Sequence, residues 1–219
     1  MLETIEVETQ AKPNAAIIWL HGLGADGHDF EPVVPEIVLP GERAWRFVFP
    51  NAPVRPVTLN GGMRMRAWYD INALDRKAAE DIEGFRESAA LVSALIERET
   101  ARGIRSTRIV LAGFSQGGAV TLYMLSRYPT ALAGFIALSC YLPAARNLDA
   151  ERLPANDRSP VFMAHGQFDP VIAVTMGQQS RDGLKAHGYP LDWHEYPMAH
   201  SVCQEEISDI RKFLFKVLP

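Results

Sequence analysis

Residues 113–118 read Gly-Phe-Ser-Gln-Gly-Gly and hold a G-x-S-x-G pattern at Gly113, Ser115 and Gly117. The apolar run RIVLAG (108–113) leads into it and a helical segment follows, so Ser115 stands where a strand turns sharply into a helix. Small neighbours allow those two elements to approach closely. Gln116 then offers its backbone N–H at the positive end of the helix, where a developing oxyanion is stabilised. The residue types suit nucleophilic acyl transfer. Gly and Ser are common, so the strand-turn-helix setting carries more weight than the pattern alone.

A serine hydroxyl attacks a carbonyl only when a base takes its proton. The strand-turn-helix arrangement calls for an Asp or Glu and then a His, in that chain order, in loops after later strands. VFMAHGQFDP (161–170) ends a strand and supplies Asp169 in a turn before Pro170. LDWHEYPMAHS (191–201) ends the last strand and supplies His200 before the final helix. The rival histidines fit less well. His165 closes an apolar strand as a structural histidine, His194 lies within a strand, His187 near a helix end, and His28 too early. Asp157, Asp182 and Asp192 read as loop or surface charges. Nothing assigns a base to Cys140, and no HExxH or CxxC spacing suggests a metal, so neither metal nor cofactor is expected.

HGLGADG (21–27) supports two chemistries. Gly22, Gly24 and Gly27 spell G-x-G-x-x-G, a dinucleotide fingerprint, while the same loop after AAIIWL (15–20) could turn an N–H toward an oxyanion opposite Ser115. The fingerprint needs a helix starting in its glycines and an acidic residue about 20 positions on. Pro32 and Pro35 shorten whatever helix begins there, and WRFVFPNAP (45–53) ends without a carboxylate. The oxyanion loop is the reading that survives.

These residues need a scaffold. AAIIWL, WRFVF (45–49), RIVLAG, GFIALS (134–139) and VFMAH (161–165) are short apolar runs without clean alternation, as expected for parallel strands covered on both faces. ETIEVET (3–9) alternates like an edge strand and LDWHEY (191–196) supplies a seventh. Helical patterns cover 79–102, with Gly103 as C-cap, then 117–127, 172–187 and about 203 onward. Strand and helix alternate, which specifies an α/β fold with a mostly parallel sheet of about seven strands flanked by helices. Residues 51–74 fit neither period. Their Pro, Gly, Met and Trp content indicates a long ordered loop.

The chain of 219 residues suits one domain, 1–219, with no room for a separate cap. A formal charge of −4 and scattered basic residues argue against nucleic acid as a partner. No signal peptide and no transmembrane run of roughly 18 apolar residues is visible. Cys140 and Cys203 read as buried thiols, which suits a reducing, cytoplasmic setting.

With these motifs in place, the chain resembles the small α/β-hydrolases that include carboxylesterases, lysophospholipases and acyl-protein thioesterases. The matching stretches are HGLGADG, APVRPVTLNGGMRMRAWYD (52–70), GFSQGGA (113–119), ALSCYLP (137–143), HGQFDPVI (165–172) and the His200 loop. The resemblance implies Ser115 as nucleophile, His200 as base, Asp169 as its orienter, and the Leu23 and Gln116 amides as the oxyanion hole. It also implies that the 52–70 loop, with Met63, Met65 and Trp68, helps line an acyl-binding groove. The implied substrate is a small-molecule ester or an acyl lipid. Carboxylic esters of short to medium chain are the first expectation, and long-chain acyl-protein thioesterase or lysophospholipase action is the alternative. The family includes dimers, so a homodimer belongs to what is implied. Ala199 departs from the family, which usually has Gly before the histidine; Ala is costly there if φ is positive.

Overall fold

A computed structural model describes residues 2–72 and 80–219. In chain order its elements are β1 (Thr4–Glu8), β2 (Ala15–Leu20), α1 (Val34–Ile37), β3 (Trp45–Pro50), β4 (Val54–Val57), β5 (Met63–Arg66), α2 (Ile82–Ala101), β6 (Ile109–Phe114), α3 (Gln116–Arg127), β7 (Gly134–Leu138), α4 (Leu148–Glu151), β8 (Val161–Gly166), α5 (Val174–Ala186), β9 (Leu191–Tyr196) and α6 (Gln204–Val217). Seven strands form one sheet in the order β1-β3-β2-β6-β7-β8-β9. β1 runs antiparallel to β3, with Ile5 opposite Phe49, and the other pairings are parallel.

The absence of alternation in the central runs has a direct cause: both sheet faces are covered. Ala16, Ile18 and Leu20 of β2 point into a core shared with α2 and α3, including Phe85, Val92, Leu95 and Leu122. Ala15, Ile17 and Trp19 point the other way, into a core closed by α1 and α6 through Val34, Ile37, Ile210 and Leu214. Successive strand side chains face opposite sides, so every position must be apolar. β1 lies at the edge and keeps its alternation. Its Glu6 and Glu8 join Arg46, Arg98, Arg102 and the fully buried Glu99 in an ion-pair lattice that ties the edge to α2. Burial alone would raise the Glu99 carboxyl, but hydrogen bonds from Arg46 and Arg102 outweigh it and hold it below its ordinary value.

The helix ends follow the sequence signals. Gly103 and Gly188 take positive φ just beyond α2 and α5. Asp81 caps α2 by accepting from the Gly84 N–H. The expected start of this helix at Ala79, and residues 73–74 of the expected loop, lie outside the described residues. The remainder of 51–74 is not all loop: β4 and β5 pair antiparallel, Val57 opposite Met63, around Gly61 and Gly62, both at positive φ. α1 and α4 are further elements that the periodicity did not indicate.

Candidate active site

The loops after β2, β6, β8 and β9 all leave the carboxyl ends of parallel strands, the edge of an open α/β sheet where sites form. Ser115 occupies the one-residue junction between β6 and α3, at φ 54 and ψ −116. For a non-glycine residue this backbone is strained, and it persists because its surroundings hold it. The neighbouring glycines are sterically required. A Cβ on Gly113 would come within 2.3 Å of the Gly117 carbonyl carbon, and one on Gly117 within 2.4 Å of the Leu20 oxygen. The Ser115 N–H is held by the Leu138 carbonyl at 2.8 Å.

The three residues expected to work together do meet. His200 Nε2 lies 2.8 Å from Ser115 Oγ, and His200 Nδ1 lies 2.6 Å from Asp169 Oδ2. Asp169 Oδ1 accepts from the N–H groups of Val171 and Ile172, which fixes the carboxylate. The Phe114 ring rests against the imidazole, 4.8 Å between centroids. Such a chain places a proton acceptor on the serine and an anion behind the acceptor. The Ala199 departure is harmless, because Ala199 is not among the residues with positive φ.

The 21–27 loop runs against the serine: a Cβ on Gly22 would lie 3.5 Å from Ser115 Cβ. The Gly24 N–H donates to Arg66 O and the Ala25 N–H to Gly22 O, whereas the preceding Leu23 N–H has no acceptor among the described residues. The Gln116 N–H opens α3 and has no intrahelical acceptor. Gly27, third in the dinucleotide pattern, packs on β3, where a Cβ would sit 2.6 Å from Phe49 O. Only a three-residue 3-10 turn and the four-residue α1 follow it, so no helix starts in these glycines.

Two features here escaped sequence reasoning. His21 is buried, donates from Nδ1 to Gly22 O at 2.6 Å and accepts at Nε2 from the Ala52 N–H. Burial lowers its pKa, so it stays neutral as both contacts require. The Gln116 side chain accepts from the Trp68 N–H and donates to Tyr69 O, both at 2.7 Å, which ties 52–70 to the first turn of α3. The histidine next to a Gly-rich loop and the amide in GFSQGG were visible signals, but their partners are main-chain groups that only the fold brings near.

The groove residues divide. Met63 is exposed and Met65 lies beside the 21–27 loop, its sulfur 3.7 Å from where a Gly24 Cβ would be. Trp68 does not fit the expectation. Its side chain is fully buried, its Nε1–H donates to His21 O at 2.9 Å, and it supports the loop from beneath instead of offering a surface to a ligand. Cys140 is buried and burial raises its thiol far above the ordinary range, while Cys203 is only half-buried; both are free.

A family model described as phospholipase/carboxylesterase matches residues 2–218. The chain belongs to this family of hydrolases. It is 41% identical over 236 residues to a Mycosarcoma maydis protein named acyl-protein thioesterase 1, covering 100% of this chain and 98% of that one. A Neurospora crassa protein of the same name is 40% identical over 97% of this chain and 91% of its own. The crystal structure of Zea mays acyl-protein thioesterase 2 superposes with a TM-score of 0.87 at 32% identity, covering 100% of both chains. The α/β-hydrolase fold is thereby shown. Among the described residues no helix is long and apolar enough to cross a membrane.

Proposed function

We propose that the protein is a serine hydrolase that releases acyl groups from thioesters on protein cysteine side chains. The unbroken chain from Ser115 Oγ through His200 to Asp169 Oδ2 carries this reading. Two relatives that match over nearly their whole length and bear the thioesterase name favour the thioester over a simple ester. In this mechanism His200 Nε2 takes the hydroxyl proton as Ser115 Oγ attacks the thioester carbon. The N–H groups of Leu23 and Gln116 stabilise the oxyanion. Collapse breaks the C–S bond, the thiol leaves with the proton from His200, and an acyl-serine remains. Water, deprotonated by His200, then attacks that ester and regenerates Ser115 as the carboxylic acid departs. Asp169 accepts from Nδ1–H throughout and stabilises the imidazolium. The two free thiols fit a reducing, cytoplasmic setting.

Hydrolysis of carboxylic esters of short to medium chain uses the same residues, and the description of the matching family favours it as a second reading. Parallel assays on a palmitoyl-thioester peptide and on p-nitrophenyl butyrate separate the two. The thioesterase reading expects the higher kcat/KM on the palmitoyl thioester. Turnover confined to the butyrate ester would make the chain a carboxylesterase.

A further inference from the structure

His165 is the penultimate residue of β8, fully buried, and has no part in the proton transfers above. Its Nε2 lies 2.8 Å from Ile172 O and 3.4 Å from Asp169 Oδ2, so an N–H there donates to the carbonyl with the carboxylate close by. Ile172 is held from both sides. Its N–H donates to Asp169 Oδ1 at 2.9 Å, while its carbonyl accepts from the His165 ring. The turn that carries Asp169 therefore closes around the imidazole.

The opposite ring edge fixes the tautomer. Nδ1 is buried with no partner among the described residues, against Gly177, where a Cβ would come within 2.5 Å of it. A proton on Nδ1 would be a buried donor without an acceptor, which costs about 1–3 kcal/mol. Burial also lowers the pKa of the ring, in the same direction. Gly177 is the residue that lets α5 pass this edge.

We infer that His165 is a positioning residue for the proposed triad: its Nε2–H, donated to Ile172 O, fixes the turn whose Ile172 N–H holds the Asp169 carboxylate where His200 Nδ1 needs it. This rests on the triad reading. An apolar side chain of similar size would fill the volume yet leave Ile172 O without a donor and the turn free to shift. A shift of about 1 Å in such a support can cost a hundredfold in rate.

The test uses His165→Met, His165→Gln and His165→Asn in the full chain, with p-nitrophenyl butyrate turnover and the downfield NMR resonance of His200 Nδ1–H. Glutamine places an amide N–H near the Nε2 position, whereas asparagine reaches only as far as Nδ1. His165→Met is expected to lower kcat about 10- to 50-fold with KM within about twofold, and to broaden or abolish the downfield resonance. His165→Gln is expected to recover kcat to within about fivefold of wild type and keep the resonance, while His165→Asn does not. A folded His165→Met enzyme with wild-type kcat overturns the inference. Should that variant fail to fold, equal kcat in the Gln and Asn variants overturns it, as does loss of folding in all three, which would make the role purely structural. Failure of the triad itself shows separately, as activity that survives Ser115→Ala.

Discussion

The dipeptide His-Gly follows β2 at His21-Gly22 and closes β8 at His165-Gly166, the first pair beside Ser115 and the second beside the loop that carries His200. On the β2 side His21 uses both nitrogens, Nδ1 donating to Gly22 O and Nε2 accepting from Ala52. On the β8 side His165 donates from Nε2 and leaves Nδ1 empty. The same two residues thus hold opposite tautomers, each chosen by the main-chain groups the fold supplies. The glycines differ in kind too. Gly22 has room for a methyl group, its nearest neighbour being the Phe114 ring at 3.4 Å, whereas a methyl on Gly166 would lie 2.2 Å from Ala199 O. A shared motif does not imply a shared constraint: one loop passes beside the serine at a distance that admits a methyl in ordinary contact, and the other is pressed against the backbone that carries His200.

The sharpest way to break this comparison is to add that methyl at both places. Gly166→Ala must push residues 198–200 away, and kcat is expected to fall at least about a hundredfold, or the fold to fail. Gly22→Ala is expected to stay folded with stability within about 1 kcal/mol of wild type. Equal urea midpoints and equal rates for the two would remove the contrast.

Next in size is the polar satisfaction of the β2 side. His21→Leu strands Gly22 O and Ala52 N–H in the interior, and a loss of about 4 kcal/mol is expected from two orphaned groups. Urea unfolding with an unchanged m-value reads it. A loss below about 1 kcal/mol would mean that these contacts are replaced by others.

The β8–β9 side carries a buried acid. Glu206, in the first turn of α6 just after the His200 loop, is fully buried and neither oxygen has a hydrogen-bond partner of good geometry among the described residues. Burial pushes its carboxyl up to about 8, only partly offset by the Cys203 backbone. A raised folded-state value means that its stability contribution is complete below the unfolded value near 4.5 and declines as pH rises toward 8. Glu206→Gln removes that decline and is expected to gain roughly 3 kcal/mol over wild type at pH 7, and little at pH 4. Thermal melts across that range check it; parallel curves for the two proteins would contradict it.

The smallest effect concerns Ala199. Because its φ is not positive, restoring the glycine usual in the family should cost about 0.5–1 kcal/mol through unfolded-chain entropy, with kcat unchanged. A gain in stability would show strain at that residue.

The sequence was most informative where one residue type answers one physical demand. Apolar runs at 15–20, 45–49 and 109–113 read as strands buried on both faces and are so, and Gly113 and Gly117 stand where any side chain would strike backbone. That Ser115, Asp169 and His200 meet was legible from their chain order in loops after later strands. What stayed hidden depends on long-range contacts. The β4–β5 hairpin is two four-residue strands, one holding Pro56, too short for a period to register. Trp68 was expected in a groove because the resemblance assigns that role to the 52–70 loop, yet its indole found His21 O beneath the loop. The opposite tautomers of His21 and His165 were out of reach, since Ala52, Gly22 and Ile172 contribute only backbone.

The central claim is that Ser115 is the nucleophile of this centre. The most direct measurement is p-nitrophenyl butyrate hydrolysis by wild type and Ser115→Ala under identical conditions, with circular dichroism to show that both are folded. Turnover that drops by at least about a thousandfold in the variant is the predicted result. Equal turnover in the two proteins would contradict it and move the chemistry away from the junction of β6 and α3.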